Sequence, residues 1–87
     1  MFEAVQFVEM RSDPEPREQV LALLPDEQEA IEAARSARSD FLATGSKDYA
    51  WWIVRRQGAE LANFIADSKS NKEFVLDLTS GELVEVV

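Results

Sequence analysis

The chain has 87 residues with neither cysteine nor histidine, and its 17 acidic and 9 basic residues give a net charge of −8. This length fits one domain over residues 1–87, and a hydrophobic content of 46% is typical of a globular rather than a disordered protein. The composition excludes thiol nucleophiles, disulfides and the common zinc sites, and the acidic balance makes nucleic acid an unexpected partner because phosphate binding requires Lys and Arg.

The first residues predict a strand and no export signal. Residues 1–6 lack the basic region and apolar run of a signal peptide, and no stretch approaches the roughly 20 apolar residues that span a bilayer. We therefore expect a cytoplasmic protein that does not bind a membrane. Residues 2–10 alternate imperfectly between apolar and polar types, which indicates a strand. Pro14 and Pro16 then predict a loop, because proline lacks the backbone donor that a central strand needs.

Residues 18–24 (EQVLALL) allow two interpretations. As a helix they would have Asp13 as cap and Pro14 in the first position, and their Ala and Leu residues favour that state. As a strand they would pair with residues 2–10, and the short run before Pro25 permits this. We lean slightly to the strand, but the state of residues 14–24 stays open at this level.

The segment from Pro25 to about Leu42 is predicted to be a helix. It consists mostly of strong helix formers, with acidic residues in the first turn, where the helix dipole favours negative charge. Pro25 suits the first turn, and Gly45 is expected to end the helix. Arg35 and Arg38 are expected on a solvated outer face. The opposite, sheet-facing stripe is expected to contain Ala30, Ile31, Ala34, Ala37, Phe41 and Leu42.

Residues 49–56 (YAWWIVRR) contain both tryptophans and predict the central strand, because aromatic and β-branched residues favour a pleated surface. Successive strand side chains point to opposite faces, so Tyr49, Trp51 and Ile53 should share one face and Trp52 and Val54 the other. A single helix covers only one face of a sheet. One indole is therefore expected in the core, and the other on a face that a partner or a ligand could cover.

The C-terminal third predicts three further strands. Residues 61–66 favour a strand over a short helix, residues 74–78 predict a strand with Phe74, Leu76 and Leu78 on one face, and residues 82–87 return after a turn at Gly81. The segment 77–83 (DLTSGEL) resembles the end of PepSY-type domains, which close with an Asp, a Thr-x-Gly-Glu turn and an apolar strand. The resemblance covers about the last third of the chain, and we carry no function over from it.

Together these elements predict an α+β fold, with a mostly antiparallel β-sheet of four to six strands and one long α-helix packed on one face in a two-layer sandwich. Among the carboxylates, Asp67 and Asp77 would form a cation site only if they met at one end of the sheet, and turn capping is the commoner role of such residues. No nucleophile and base can be paired. We therefore expect no enzyme, no metal and no cofactor.

The two indoles favour association as the function. We expect a homodimer, or binding to another protein, through the apolar sheet face, with Trp51 or Trp52 as the anchor because tryptophan is enriched in binding hot spots. Its neighbours would come from Tyr49, Ile53 and Phe64.

Two alternatives remain at this level. One is an acidic inhibitor or antitoxin-like protein, which would bind a basic protein surface through Asp26, Glu27, Glu29 and Glu32. The other is a small flat ligand held between a tryptophan and Arg55 or Arg56, since guanidinium groups stack on flat rings and bind acid groups.

Overall fold

A computed structural model of the protein, described here over residues 1–86, shows a six-stranded antiparallel sheet with one helix packed against it. The predicted α+β fold is thereby confirmed. The spatial order of the strands is β2-β1-β3-β4-β5-β6. In chain order the elements are β1 (Phe2–Glu9), β2 (Arg17–Leu24), α1 (Glu27–Ala43), β3 (Tyr49–Arg56), β4 (Ala62–Asp67), β5 (Glu73–Leu76) and β6 (Leu83–Glu85).

Strand β3 lies between β1 and β4, as the aromatic segment predicted. Its register sets Trp51 opposite Phe7 and Ile53 opposite Val5 on β1, and the alternation of its side chains follows the predicted period of two. The sequence of this strand has no proline or glycine to interrupt the ladder. It therefore supplies the middle of both sheet faces.

The open question about residues 14–24 is resolved in favour of a strand. Residues Arg17–Leu24 pair with β1 along almost its whole length, so tertiary pairing overrides the helical propensity of Ala and Leu. Ala22 lies opposite Ala4 and Val20 opposite Val5, which leaves Leu21 as the extra residue of a β-bulge. The bulge reverses the alternation along β2 and turns Val20 away from the helix.

The helix begins at Glu27, two residues later than the predicted start at Pro25. Asp26 is the N-cap, and its carboxylate accepts a hydrogen bond from the backbone N–H of Gln28 at 3.1 Å. Pro25 precedes this cap and is not part of the first turn, because the capping carboxylate fixes where the helix starts. Gly45 follows the C-cap with a φ of 71°, a left-handed conformation that glycine adopts without strain. Leu42 is 44% exposed, so the predicted packing stripe ends at Phe41.

The core lies between α1 and the sheet face that it covers. Trp52 is its largest fully buried side chain, and the ring of Phe41 meets the indole edge-on at 5.5 Å between centroids. The indole Nε1–H donates to the side-chain oxygen of Gln6 at 2.9 Å, which satisfies the one polar group of this side chain. Apart from Trp52, the buried cluster consists of Ala4, Ala30, Ile31, Ala34, Ala50, Val54, Phe64 and Ala66.

The two helix arginines hold the helix to the sheet, contrary to the prediction of a solvated face. Arg35 forms a forked ion pair with Glu73 at the start of β5, with N–O distances of 2.8–3.2 Å. Arg38 donates to the backbone carbonyls of Asp67 and Ser70 at 2.7 and 2.6 Å. The connection between β4 and β5 lies within reach of the second half of the helix, a proximity that periodicity along α1 does not reveal.

The last two strands are shorter than the sequence suggested. Asp77 ends β5 because its carboxylate accepts the backbone N–H of Thr79 and starts a turn. Leu78 therefore lies in that turn, 87% exposed, and is not on the predicted strand face. Strand β6 stops at Glu85, and the predicted strand end at Val87 lies outside the described residues. Over residues 1–86, no helix combines the length and apolar character that a membrane crossing requires.

Candidate functional site: the open face of the sheet

The sheet face opposite α1, which we call the open face, carries a contiguous group of apolar side chains. The helix contacts β1 to β4 from the other side, and over residues 1–86 no element forms a second layer here. The strand registers and alternation place on this face Val5, Phe7, Val20, Leu23, Trp51, Ile53, Ile65, Phe74 and Leu76.

Trp51 is the centre of an aromatic cluster on the open face. Its ring stacks on Phe7 with centroids 5.2 Å apart and planes 9° from parallel, and Tyr49 lies 5.6 Å away in a tilted arrangement. Trp51 remains partly exposed, although Phe7 and Tyr49 flank it. The stacking fixes the orientation of the indole, so the cluster presents a pre-organised apolar surface.

A row of apolar side chains crosses the open face beside this cluster. Val5, Ile53, Ile65 and Phe74 occupy successive strands in register. Val5 is fully buried and Ile53 is 8% exposed, because their neighbours on the same face shield them. At the edge of the row Val20 is 51% exposed, so the apolar surface extends onto β2.

Charged groups on the open face are bound to each other across β1, since Glu3 lies opposite Arg55 near one end of the sheet and Glu18 lies opposite Phe7. Arg55 donates to Glu3 at 2.9 Å and to Glu18 at 3.4 Å. The hydrogen bond with Glu3 raises the pKa of the Arg55 guanidinium, and the nearby charge of Glu18 adds to this effect. Arg55 is therefore a paired cation at the margin of the apolar surface.

Tyr49 and Asp67 form a second polar group at the other end. The Tyr49 hydroxyl donates to one Asp67 carboxylate oxygen at 3.2 Å, and the other accepts the backbone and side-chain donors of Ser70. Partial burial alone would raise the pKa of Asp67, but the hydrogen bonds from Ser70, Tyr49 and Lys69 outweigh it and hold that pKa below its usual value. The pKa of Tyr49 is raised, first by burial and then by the charge of Asp67.

A shallow pocket of about 330 Å³ opens beside Trp51 at this end. Ile65 and Phe74 line its apolar side, and Asp67 and Lys72 its polar side. The pocket is continuous with the open face, so the exposed side of the indole is accessible to an apolar group from outside.

The structure separates the predicted site residues into two groups. Tyr49, Trp51 and Ile53 lie together on the open face, as their alternation predicted. Trp52 and Phe64, also predicted as interface residues, are fully buried beneath α1 and belong to the core. Phe64 faces the helix because it pairs with Val54, whose side chain points the same way.

The predicted clamp between a tryptophan and an arginine does not form. Arg55 lies four residues along the strand from Trp51 and is bound to Glu3 and Glu18. Arg56 lies on the other face, with its guanidinium 5.8 Å from the ring centroid of Phe2. Side chains two positions apart along a strand are already about 7 Å apart, so a residue four positions away cannot sandwich a flat ring against the indole.

Several open-face residues were not identified from the sequence. Phe7, Ile65 and Phe74 join Trp51 only through strand registers, which a single sequence does not specify. The alternation within each strand gave their relative facing but not which strands are neighbours. The sequence did not indicate that Val20 lies on the open face, because the bulge at Leu21 reverses the alternation of side chains along β2.

The acidic residues considered for a cation site are separated by the fold. Asp67 ends β4 and Asp77 follows β5, and these antiparallel strands put the two carboxylates at opposite ends of the sheet. Each accepts hydrogen bonds within its own turn. Within residues 1–86 no group of three or more Asp or Glu side chains is arranged to hold a metal ion.

The chain matches no protein-family model, no curated protein and no solved structure. The resemblance of residues 77–83 to the end of PepSY-type domains is accordingly not supported by a family match. The functional argument therefore depends on the geometry of the open face.

Proposed function

We propose that this protein is not an enzyme and acts by association, forming a homodimer through the open face with Trp51 as the anchor. The observation that supports this most strongly is the contiguous apolar surface around Trp51, Phe7, Ile65 and Phe74, which no element within residues 1–86 covers. Monomeric soluble proteins rarely expose apolar patches of more than a few hundred Å², and larger ones mark interaction sites.

The size of the open face agrees with this proposal. Five strands at about 4.8 Å each span roughly 24 Å, and six residues at about 3.3 Å each span roughly 20 Å along a strand. The flat footprint is then on the order of 480 Å² before side-chain relief is added. A standard interface buries about 800 Å² per partner, so the open face supplies most of what a specific dimer needs.

The distribution of charge favours a second copy over a basic protein as the partner. The row of Val5, Ile53, Ile65 and Phe74 carries no charge, and Arg55, Glu3 and Glu18 beside it are paired with each other. A surface that binds a basic partner would be expected to expose carboxylates instead. A neutral apolar face is best complemented by another neutral apolar face.

The acidic-inhibitor alternative has less support from the helix. Four acidic residues were considered for this alternative. Asp26 caps the helix and Glu27 accepts a 3.4 Å hydrogen bond from Asn63, whereas Glu29 and Glu32 are exposed. Exposed acidic residues on a helix are the ordinary state of a solvated face. We therefore make no second proposal from them.

The proposal is tested by placing a charge in the middle of the open face. Ile65→Lys sets an ammonium beside Trp51, and burying this charge in an interface would be costly. We therefore expect the Kd of the dimer to rise at least about tenfold. Sedimentation velocity over a concentration series measures this. Leu78→Lys is the matched control, since Leu78 is 87% exposed in a turn outside the open face.

A wild-type protein that remains monomeric at high micromolar concentration would contradict the proposal. Equal dimer Kd values for Ile65→Lys and Leu78→Lys would also contradict it, because the interface would then lie elsewhere. Circular dichroism of both variants establishes that the fold is retained.

A further inference from the structure

The two ends of the sheet differ in charge. Antiparallel connectivity gathers the connections 10–16, 44–48 and 68–72 at one end, which we call the lysine end, and the connections 25–26, 57–61 and 77–82 at the other, the acid end. The lysine-end connections contain all three lysines of the chain, Lys47, Lys69 and Lys72, together with Arg11 and the acidic residues Asp13, Glu15 and Asp48. The acid-end connections contain no basic residue, and their acidic residues are Asp26, Glu60, Asp77 and Glu82.

On the open face itself Glu9 and Asp67 lie at the lysine end and Arg55 lies at the acid end, so the division holds for the connections and not for the strands. The connection 68–72 joins β4 to β5 and carries Lys69 and Lys72 without an acidic residue. On the opposite side of the same strands, Glu60 precedes β4 and Glu82 precedes β6. Lys69, Lys72, Glu60 and Glu82 are all exposed, and the Lys69 ammonium lies 5.3 Å from the ring centroid of Tyr49 at the margin of the open face.

If the strands of the two copies stay aligned, open face can pack on open face around a two-fold axis in either of two directions. An axis parallel to the strands brings the two acid ends together, whereas an axis perpendicular to the strands brings each acid end onto the partner's lysine end. Like charges placed across an interface cost several kcal/mol and opposite charges steer and align the partners. The perpendicular axis is favoured because it brings the exposed lysines of the connection 68–72 toward exposed carboxylates of the partner.

The row of Val5, Ile53, Ile65 and Phe74 makes this arrangement self-complementary. Trp51 lies two residues from Ile53 toward the lysine end, and Arg55 lies two residues from it toward the acid end. An axis along this row therefore places Trp51 over the partner's Arg55, and the reciprocal contact forms by symmetry. The planar guanidinium of Arg55, held in position by Glu3, is a suitable surface for an indole to stack on.

We infer that the homodimer packs with the strands of the two open faces running in opposite directions, so that the 68–72 connection of each copy lies between the partner's turns that carry Glu60 and Glu82. This inference rests on the proposed function, since it assumes that the open face is the interface. It adds the orientation of the second copy and the charges that specify it.

Charge reversal at the two ends tests the orientation. Lys69→Glu with Lys72→Glu is one variant, and Glu60→Lys with Glu82→Lys is the other. We expect each variant alone to have a dimer Kd raised by about tenfold at low salt, and an equimolar mixture of the two to recover dimers with one copy of each. Native mass spectrometry of the mixture identifies the mixed dimer. Added salt should reduce the differences in Kd between the variants and the wild type.

The Glu60→Lys, Glu82→Lys variant is the decisive one, because it makes the chain less acidic and should tighten any dimer that depends on net charge alone. Glu29→Lys with Glu32→Lys is the matched control, with the same change of charge on the exposed side of α1. A dimer Kd that rises in the Glu60→Lys, Glu82→Lys variant and does not rise in the helix control supports the inference.

Tightening by the turn variant would overturn the inference, because it would show that Glu60 and Glu82 do not meet the partner's lysines. An unchanged Kd in both charge variants would overturn it as well. A wild-type protein that never dimerises would instead contradict the proposed function itself, so the two failures are distinguishable.

Discussion

Trp51 and Trp52 show how neighbouring residues of one type acquire different roles. The alternation of a strand predicted that they leave the backbone in opposite directions, and this depends on nothing outside the segment 49–56. Which indole enters the core could not be predicted, because that depends on which face α1 covers. The structure assigns Trp52 to the core and Trp51 to the open face.

The two indoles should differ in their contribution to stability. Trp52→Ala leaves a cavity beneath α1 and an unpaired Gln6 side chain, so we expect a loss of about 3–5 kcal/mol in the free energy of unfolding. Trp51→Ala removes a partly exposed ring and should cost the monomer much less. Urea denaturation at low protein concentration measures both values, and equal losses would contradict the assignment.

Asp67 should make the free energy of unfolding depend on pH in the acidic range. Its pKa is depressed in the folded protein, so its stabilising contribution is fully present above the usual aspartate pKa of about 4 and is lost as the pH falls through the folded value. We expect the wild type to lose stability below about pH 4 more steeply than Asp67→Asn, which keeps an acceptor for Ser70 but has no charge. Thermal melts from pH 7 to pH 2 measure this, and parallel curves would refute it.

At the scale of elements, local signals identified the helix and most strands but not their contacts. The Asp26 cap and the aromatic strand are encoded within a few residues. The strand state of residues 17–24 required the ladder with β1, and the early end of β5 required the turn at Asp77. The roles of the helix arginines depended on a loop that is distant in the sequence.

Arg38 should be the more important of the two helix arginines. It satisfies two backbone carbonyls in a partly buried position, whereas the ion pair of Arg35 with Glu73 is more exposed to solvent. We expect Arg38→Met to cost about 1–3 kcal/mol and to accelerate amide hydrogen exchange in residues 68–72. Arg35→Met should cost about 1 kcal/mol or less. Similar exchange rates in the two variants would show that Arg38 does not hold this loop.

At the scale of the whole molecule, one helix on a six-stranded sheet leaves one sheet face without a covering layer. The sequence predicted this imbalance, because a single long helix accompanied a strand that is apolar on both faces. It could not specify which strands contribute to the open face, since their order comes from pairing over long distances. The proposed homodimer would supply the missing layer from a second copy.

The most direct test of that claim is the accessibility of Trp51 as a function of protein concentration. In a Trp52→Phe variant the only indole is Trp51, and acrylamide quenching of its fluorescence reports how far the open face is exposed. The reciprocal Trp51→Phe variant is the control, because Trp52 is fully buried and should be poorly quenched throughout. We predict that quenching of Trp51 decreases as the concentration rises from nanomolar to tens of micromolar. Quenching that remains high and constant over this range would contradict the account.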